Sequence, residues 1–168
     1  MNNKNTNEDL QNNDTFLAIR SGSSAFRKFW DENKEKIDDR IVIDLKNSPK
    51  SGEKGLIIRI PGTNNFKVQI RTTSDFGRNA YYLAHEICHG LIFIQGYPRC
   101  EIPRWIMTDL ISKRCEDILH DLPGLCKGLN SLIYDPFVNH HLETFGFNLQ
   151  NVYLKSSTEI PPYTTTNL

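Results

Sequence analysis

The sequence predicts a single α+β domain, and three patterns predict it. Apolar residues recur at helical spacing near the N-terminus, a period-2 strand pattern follows, and helical periodicity dominates from residue 79 onward. At 168 residues the chain fits one domain large enough for a sizeable core. The expected order is an N-terminal helix, a small antiparallel sheet of about three strands, one strongly apolar helix, and C-terminal helices.

Residues 1–14 are rich in Asn and acidic side chains with almost no apolar content, so they are expected to form a disordered tail and to lack the apolar core of a signal peptide. Phe16, Leu17 and Ile19, then Phe26, Phe29 and Trp30, mark an amphipathic helical region; Gly22 interrupts it, and Ser23 or Ser24 offers a fresh cap. Strands are expected at 41–45, 56–60 and 66–71. In the third, Phe66, Val68 and Ile70 alternate with Lys67, Gln69 and Arg71, giving one buried and one wet face. Residues 61–65, Pro-Gly-Thr-Asn-Asn, supply turn chemistry for an antiparallel hairpin, and residues 48–52 form a looser connection before it.

Residues 79–94 contain no Pro and no Gly before Gly90. Leu83, Ala84, Ile87, Leu91 and Ile94 make a buried stripe, Thr73, Ser74 or Asp75 can cap the start, and Gly96 with Pro98 stops the helix. A helix over 105–120 is expected to end at Pro123-Gly124, followed by helices at 125–134 and from Asp135-Pro136 through Leu142 toward Gly146. Residues 156–168, with Pro161-Pro162 and a run of three threonines at 164–166, read as a flexible tail, which leaves 15–155 as the domain.

The formal net charge is zero with Lys and Arg scattered, so electrostatics give no case for nucleic acid or an anionic membrane as partner. No apolar run approaches the roughly 18 residues of a spanning helix. Cys88, Cys100, Cys115 and Cys126 form no Cys-x-x-Cys pair, which suits reduced thiols and a cytoplasmic location.

Chemistry concentrates in His85-Glu86-Ile87-Cys88-His89. With five His and nine Glu among 168 residues, random placement yields this His-Glu-x-x-His pattern with a probability of about 0.01. On a helix the two histidines lie one above the other, so both imidazoles reach one Zn²⁺ while Glu86 stands beside an open coordination position. Cys88 points away from that face and reads as a small buried side chain. Asp75-Phe76-Gly77 echoes a kinase triplet without its companion motifs and reads as a helix cap.

In Ala84-His85-Glu86-Ile87-Cys88-His89-Gly90 the chain resembles the zincin metallopeptidases, and in length and layout the small intracellular ImmA/IrrE-type predicted peptidases. The resemblance implies that His85 and His89 bind zinc, that Glu86 polarises the metal-bound water, and that a small sheet packs against the helix. A metzincin-type third histidine is excluded, because positions 92 and 95 are Ile and Gln.

A catalytic zinc takes three protein ligands and a water. Asp135 is the first choice for the third, because its apolar flanks, Leu132-Ile133-Tyr134 and Phe137-Val138, make an unpaired carboxylate costly. The competing reading makes Asp135 the N-cap before Pro136. Glu116, Asp117, His120, His140, His141 and Glu143 are alternatives. His140 and His141 diverge by about 100° on a helix and cannot easily share one ion.

The expected activity is zinc-dependent hydrolysis of a peptide or protein substrate, with Glu86 as general base and acid. Tyr134, His140 and His141 are candidate oxyanion donors, and 66–71 is the candidate strand edge for the substrate. A non-catalytic zinc-binding regulatory or interaction module is the alternative, and a zinc hydrolase acting on another bond is a third reading.

Overall fold

The computed structural model describes residues 13–37, 40–47, 49, 53–113, 116–150 and 152. Among them are five helices and one three-stranded sheet, an α+β architecture. Residues 1–12, 48, 50–52 and 153–168 lie outside the described residues, and with them most of the expected N-terminal tail, most of the 48–52 connection and all of the expected C-terminal tail.

Helix α1 spans Asp14–Gly22 and α2 spans Ser24–Ile37. The side chain of Asn13 accepts from the Phe16 amide at 3.1 Å, so the helix begins inside the segment assigned to a tail. The Ser23 hydroxyl likewise accepts from the Phe26 amide at 3.1 Å and starts α2, as its capping chemistry predicts. The buried faces of the two helices meet through aromatics, with Phe16 edge-on to Trp30 at 4.8 Å, and Phe29 reaches past them to meet Phe145 edge-on at 5.4 Å. Each such ring, fully buried, contributes about 1.5–3 kcal/mol.

Strands β1 (Ile41–Asp44), β2 (Gly55–Arg59) and β3 (Phe66–Ile70) assemble in the order β1-β3-β2. The β2–β3 hairpin is antiparallel, pairing Gly55 with Ile70 and Arg59 with Phe66. The expected all-antiparallel sheet is corrected, since β1 pairs parallel with β3, Ile41 opposite Phe66 and Asp44 opposite Gln69. Alternation buries Ile41 and Ile43 whichever way the neighbour runs, so it carries no information on direction. Contacts on the wetter face fasten this register. Gln69 donates to Asp44 at 3.0 Å, and Lys67 lies 3.7 Å from the same carboxylate. Burial works to raise the Asp44 carboxyl, but bonds from Asn47, Gln69 and nearby backbone amides outweigh it and hold it below the ordinary value.

Helix α3 (Phe76–Ile94) is the hub, packing on β2 and β3, on α1 and α2, and on the last helix. Asp75 caps it, accepting from the Arg78 amide at 3.0 Å. Gly96, at φ 88°, closes it in a Schellman turn, with its own N–H donating to Phe93 O at 3.1 Å and Tyr97 N–H to Ile92 O at 3.4 Å. Leu83, Ala84 and Ile87 are fully buried, as the apolar stripe predicts.

Helix α4 covers Arg104–Ser112 and α5 covers Glu116–Thr144. Here the sequence reading is corrected, because Pro123-Gly124 ends nothing and a single α5 runs through Pro123 and Pro136. A proline deletes one donor of the i to i−4 ladder, and tertiary anchoring offsets that loss. Tyr134, Val138 and Leu142 are buried, and the Asn130 side chain holds the Cys100 backbone at both N (2.8 Å) and O (3.0 Å). Among the described residues no helix is long and apolar enough to cross a membrane.

Candidate metal centre

The helical spacing of His85 and His89 aims both rings from α3 toward α5. Their Nε2 atoms stand 3.2 Å apart. Asp135 arrives from α5 with Oδ1 3.0 Å from His89 Nε2 and 3.4 Å from His85 Nε2. Because α5 is continuous, Asp135 lies in its interior and the N-cap reading is overturned, leaving the carboxylate available to the histidines. The chain between α3 and α5 makes the fold-back that brings it there. Among the described residues, His85, His89 and Asp135 form a group that could hold a metal ion.

The separations fit that use. Bonds of about 2.0–2.1 Å to a tetrahedral ion place neighbouring donors about 3.3–3.4 Å apart. The three observed edges, 3.0, 3.2 and 3.4 Å, match this within a few tenths of an ångström. Burial works to raise the Asp135 carboxyl, but hydrogen bonds and charge from His85 and His89 overcome it and hold the group well below the usual carboxylate range. A deprotonated carboxylate is the form a cation needs.

Each imidazole has its own support. Tyr81, one turn before His85, lies with Oη 3.3 Å from His85 Nδ1 and donates to Asn139 Oδ1 at 2.9 Å. With its one proton given to Asn139, the Tyr81 oxygen is left to accept from His85 Nδ1–H, which supports the tautomer whose Nε2 can ligate a metal ion. His89 stacks on Phe93 at 6.1 Å, and Phe93 meets Tyr134 edge-on at 5.6 Å.

Glu86 projects into a cleft of about 400 Å³ whose floor is His85, Glu86 and His89. One wall is β2 from Gly55 to Ile58; the other carries Pro123, Cys126, Lys127 and Asn130 of α5. Burial pushes the Glu86 carboxyl up, against the pull of His85, His89 and Lys127. Gly55 makes room for it, since a Cβ there would lie 2.6 Å from Glu86 Oε1. Lys127 pairs with Glu53 at the cleft rim.

The remaining candidates separate from this group. His140, His141 and Glu143 are exposed on the last turns of α5, with His141 edge-on to Phe145 at 5.1 Å. The side chains of Glu116, Asp117 and His120 lie outside the described residues. Tyr134 is buried and donates to the Pro98 carbonyl, which commits the proton an oxyanion would need. Cys88 is buried, its thiol pushed up to about 12 by that burial, consistent with an inert packing role. The substrate-edge expectation for 66–71 is corrected as well, because β3 is the central strand and β2 is the edge that lines the cleft. Sequence reasoning missed Tyr81 and Asn139. Tyr81 was discoverable, standing four residues before His85 on the same helical face.

No family profile, no curated protein and no solved structure matches this chain.

Proposed function

We propose that the protein is a zinc-dependent hydrolase, and in the first instance a peptidase. The observation that carries this reading is the near-tetrahedral spacing of two imidazole nitrogens and one carboxylate oxygen beside the half-buried Glu86 in an open cleft. Two N donors and one O donor suit zinc, and three protein ligands leave the fourth position that catalysis requires and a structural site would close. His85, His89 and Asp135 would hold the zinc, which would supply Lewis acidity to a carbonyl oxygen and a water.

The protein's own groups do the remaining work. Glu86, poised by burial toward the protonatable range, takes the proton of the attacking water and returns it to the leaving nitrogen. Tyr81 and Asn139 hold His85 in one tautomer. An extended peptide laid along β2 would gain main-chain hydrogen bonds at a sheet edge, which favours a peptide over a compact small molecule. Leu56, Ile58 and Phe93 in the cleft suit an apolar side chain of that peptide.

A second reading, a zinc-binding interaction module that cuts nothing, draws on the exposed row Leu125, Leu129, Leu132 and Ile133 along α5. The experiment that separates the two compares wild type with Glu86→Gln on a library of unstructured peptides. A peptidase loses turnover with its zinc content unchanged; absence of cleavage by zinc-loaded wild type favours the module.

A further inference from the structure

Cys100 lies in the chain between α3 and α4, and Cys126 lies on α5, yet both line the same cleft. Their approach is built in. The Asn130 amide grips the Cys100 backbone at both its N–H (2.8 Å) and its carbonyl (3.0 Å), and Cys126 sits one helical turn before Asn130 on the same face of α5. The two thiols lie within interaction range of each other, and neither is in a disulfide.

We infer that Cys100 and Cys126 are a modification site, a dithiol in the cleft wall that a hydroperoxide closes to a disulfide and a thiol reductant reopens. One sulfur attacks the hydroperoxide: an S–O bond forms, the O–O bond breaks, and an alcohol or water departs, leaving a sulfenic acid. The second thiol then attacks that sulfur. An S–S bond forms, the S–O bond breaks, and the hydroxyl leaves as water with the thiol's proton. The pair gives up two electrons and two protons, and the hydroperoxide becomes alcohol and water. Cys88, buried in the core, has no such neighbour to pair with among the described cysteines.

The bridge would fasten the segment carrying Arg99, Cys100 and Glu101 to α5, fixing two sides of the cleft against each other. It stands on the two thiols alone and does not rest on the metal reading.

The test uses the full chain, reduced, desalted and exposed to a small excess of hydrogen peroxide. Intact mass should fall by about 2 Da per chain, and peptide mapping without reductant should recover one cross-linked species joining the Cys100 and Cys126 peptides. Dithiothreitol should reverse it. Cys126→Ser should abolish the cross-link, and Asn130→Ala, which frees the Cys100 backbone, should slow its formation severalfold while leaving the thiols present. Both thiols remaining open to alkylation after peroxide would overturn the inference. So would oxidation of either one to a sulfinic acid without a bridge, or a cross-link that recruits Cys115 or Cys88 instead. The wild-type map decides the matter even if a variant fails to fold.

Discussion

Gly55 of β2 and Glu86 of α3 meet so closely that a Cβ on Gly55 would stand 2.6 Å from Glu86 Oε1 and 2.7 Å from its Cγ. The glycine thereby sets where the carboxylate of the proposed base can stand. Gly55→Ala should displace Glu86 while leaving His85, His89 and Asp135 in place. A misplacement of about 1 Å costs on the order of a hundredfold in turnover. The expected result is a kcat reduced by about that factor with zinc content unchanged, read by steady-state peptide hydrolysis beside elemental analysis.

Tyr81→Phe removes the hydroxyl that holds His85 Nδ1 and leaves the ring packing intact. Loss of such a support typically weakens metal binding roughly 10- to 100-fold. Competition titration against a chelating dye should show a shift of that size. An unchanged affinity would mean that the Asn139–Tyr81–His85 chain is only packing.

Local chemistry explains what the sequence made legible. Ser23 and Asp75 cap helices because their side-chain oxygens reach an amide three residues on, and His85 and His89 share a face because the helix repeats every 3.6 residues. The structure sets Asp135 beside the two histidines, but the burial argument that singled it out does not hold, since its flanks Leu132, Ile133 and Phe137 are exposed. What the sequence hid depends on distant neighbours. The direction of β1 against β3 leaves the alternation of Ile41 and Ile43 unchanged. The continuity of α5 through Pro136 goes with burial of Tyr134, Val138 and Leu142, which outweighs a local breaker signal. Gly55 and the Cys100–Cys126 pair carry no local signature, since each has meaning only through a residue on another element.

The buried Glu86 carboxyl predicts a conflict between stability and function in the metal-free protein. Its folded-state value is raised by burial, so the folded state holds the proton more tightly than the unfolded chain. Stability from this group is therefore fully present below the ordinary Glu value of about 4.3 and is lost as pH rises through the folded-state value. Metal-free Glu86→Gln should melt above metal-free wild type at pH 7, and the gap should close as pH falls toward 4. Calorimetry with chelator across that range checks both the sign and the trend.

Gly90 carries α3 over the sheet, where an added Cβ would lie 2.7 Å from Ile41 Cδ1 and 3.1 Å from Ile57 Cδ1. Gly90→Ala should destabilise the fold by about 1–3 kcal/mol through overpacking, less up to about 1 kcal/mol of gained helix propensity. Adding Ile41→Val, which removes the first of those methyls, should recover part of the loss. Urea denaturation of the single and double variants measures the coupling.

The most direct measurement is zinc titration of the metal-free protein with stoichiometry, on wild type and on Asp135→Ala, with Glu143→Ala as the control on the same helix. One zinc per chain is expected for wild type and Glu143→Ala, with affinity lowered at least tenfold for Asp135→Ala. No zinc uptake by wild type, or an Asp135→Ala variant that binds as tightly as wild type, would contradict it.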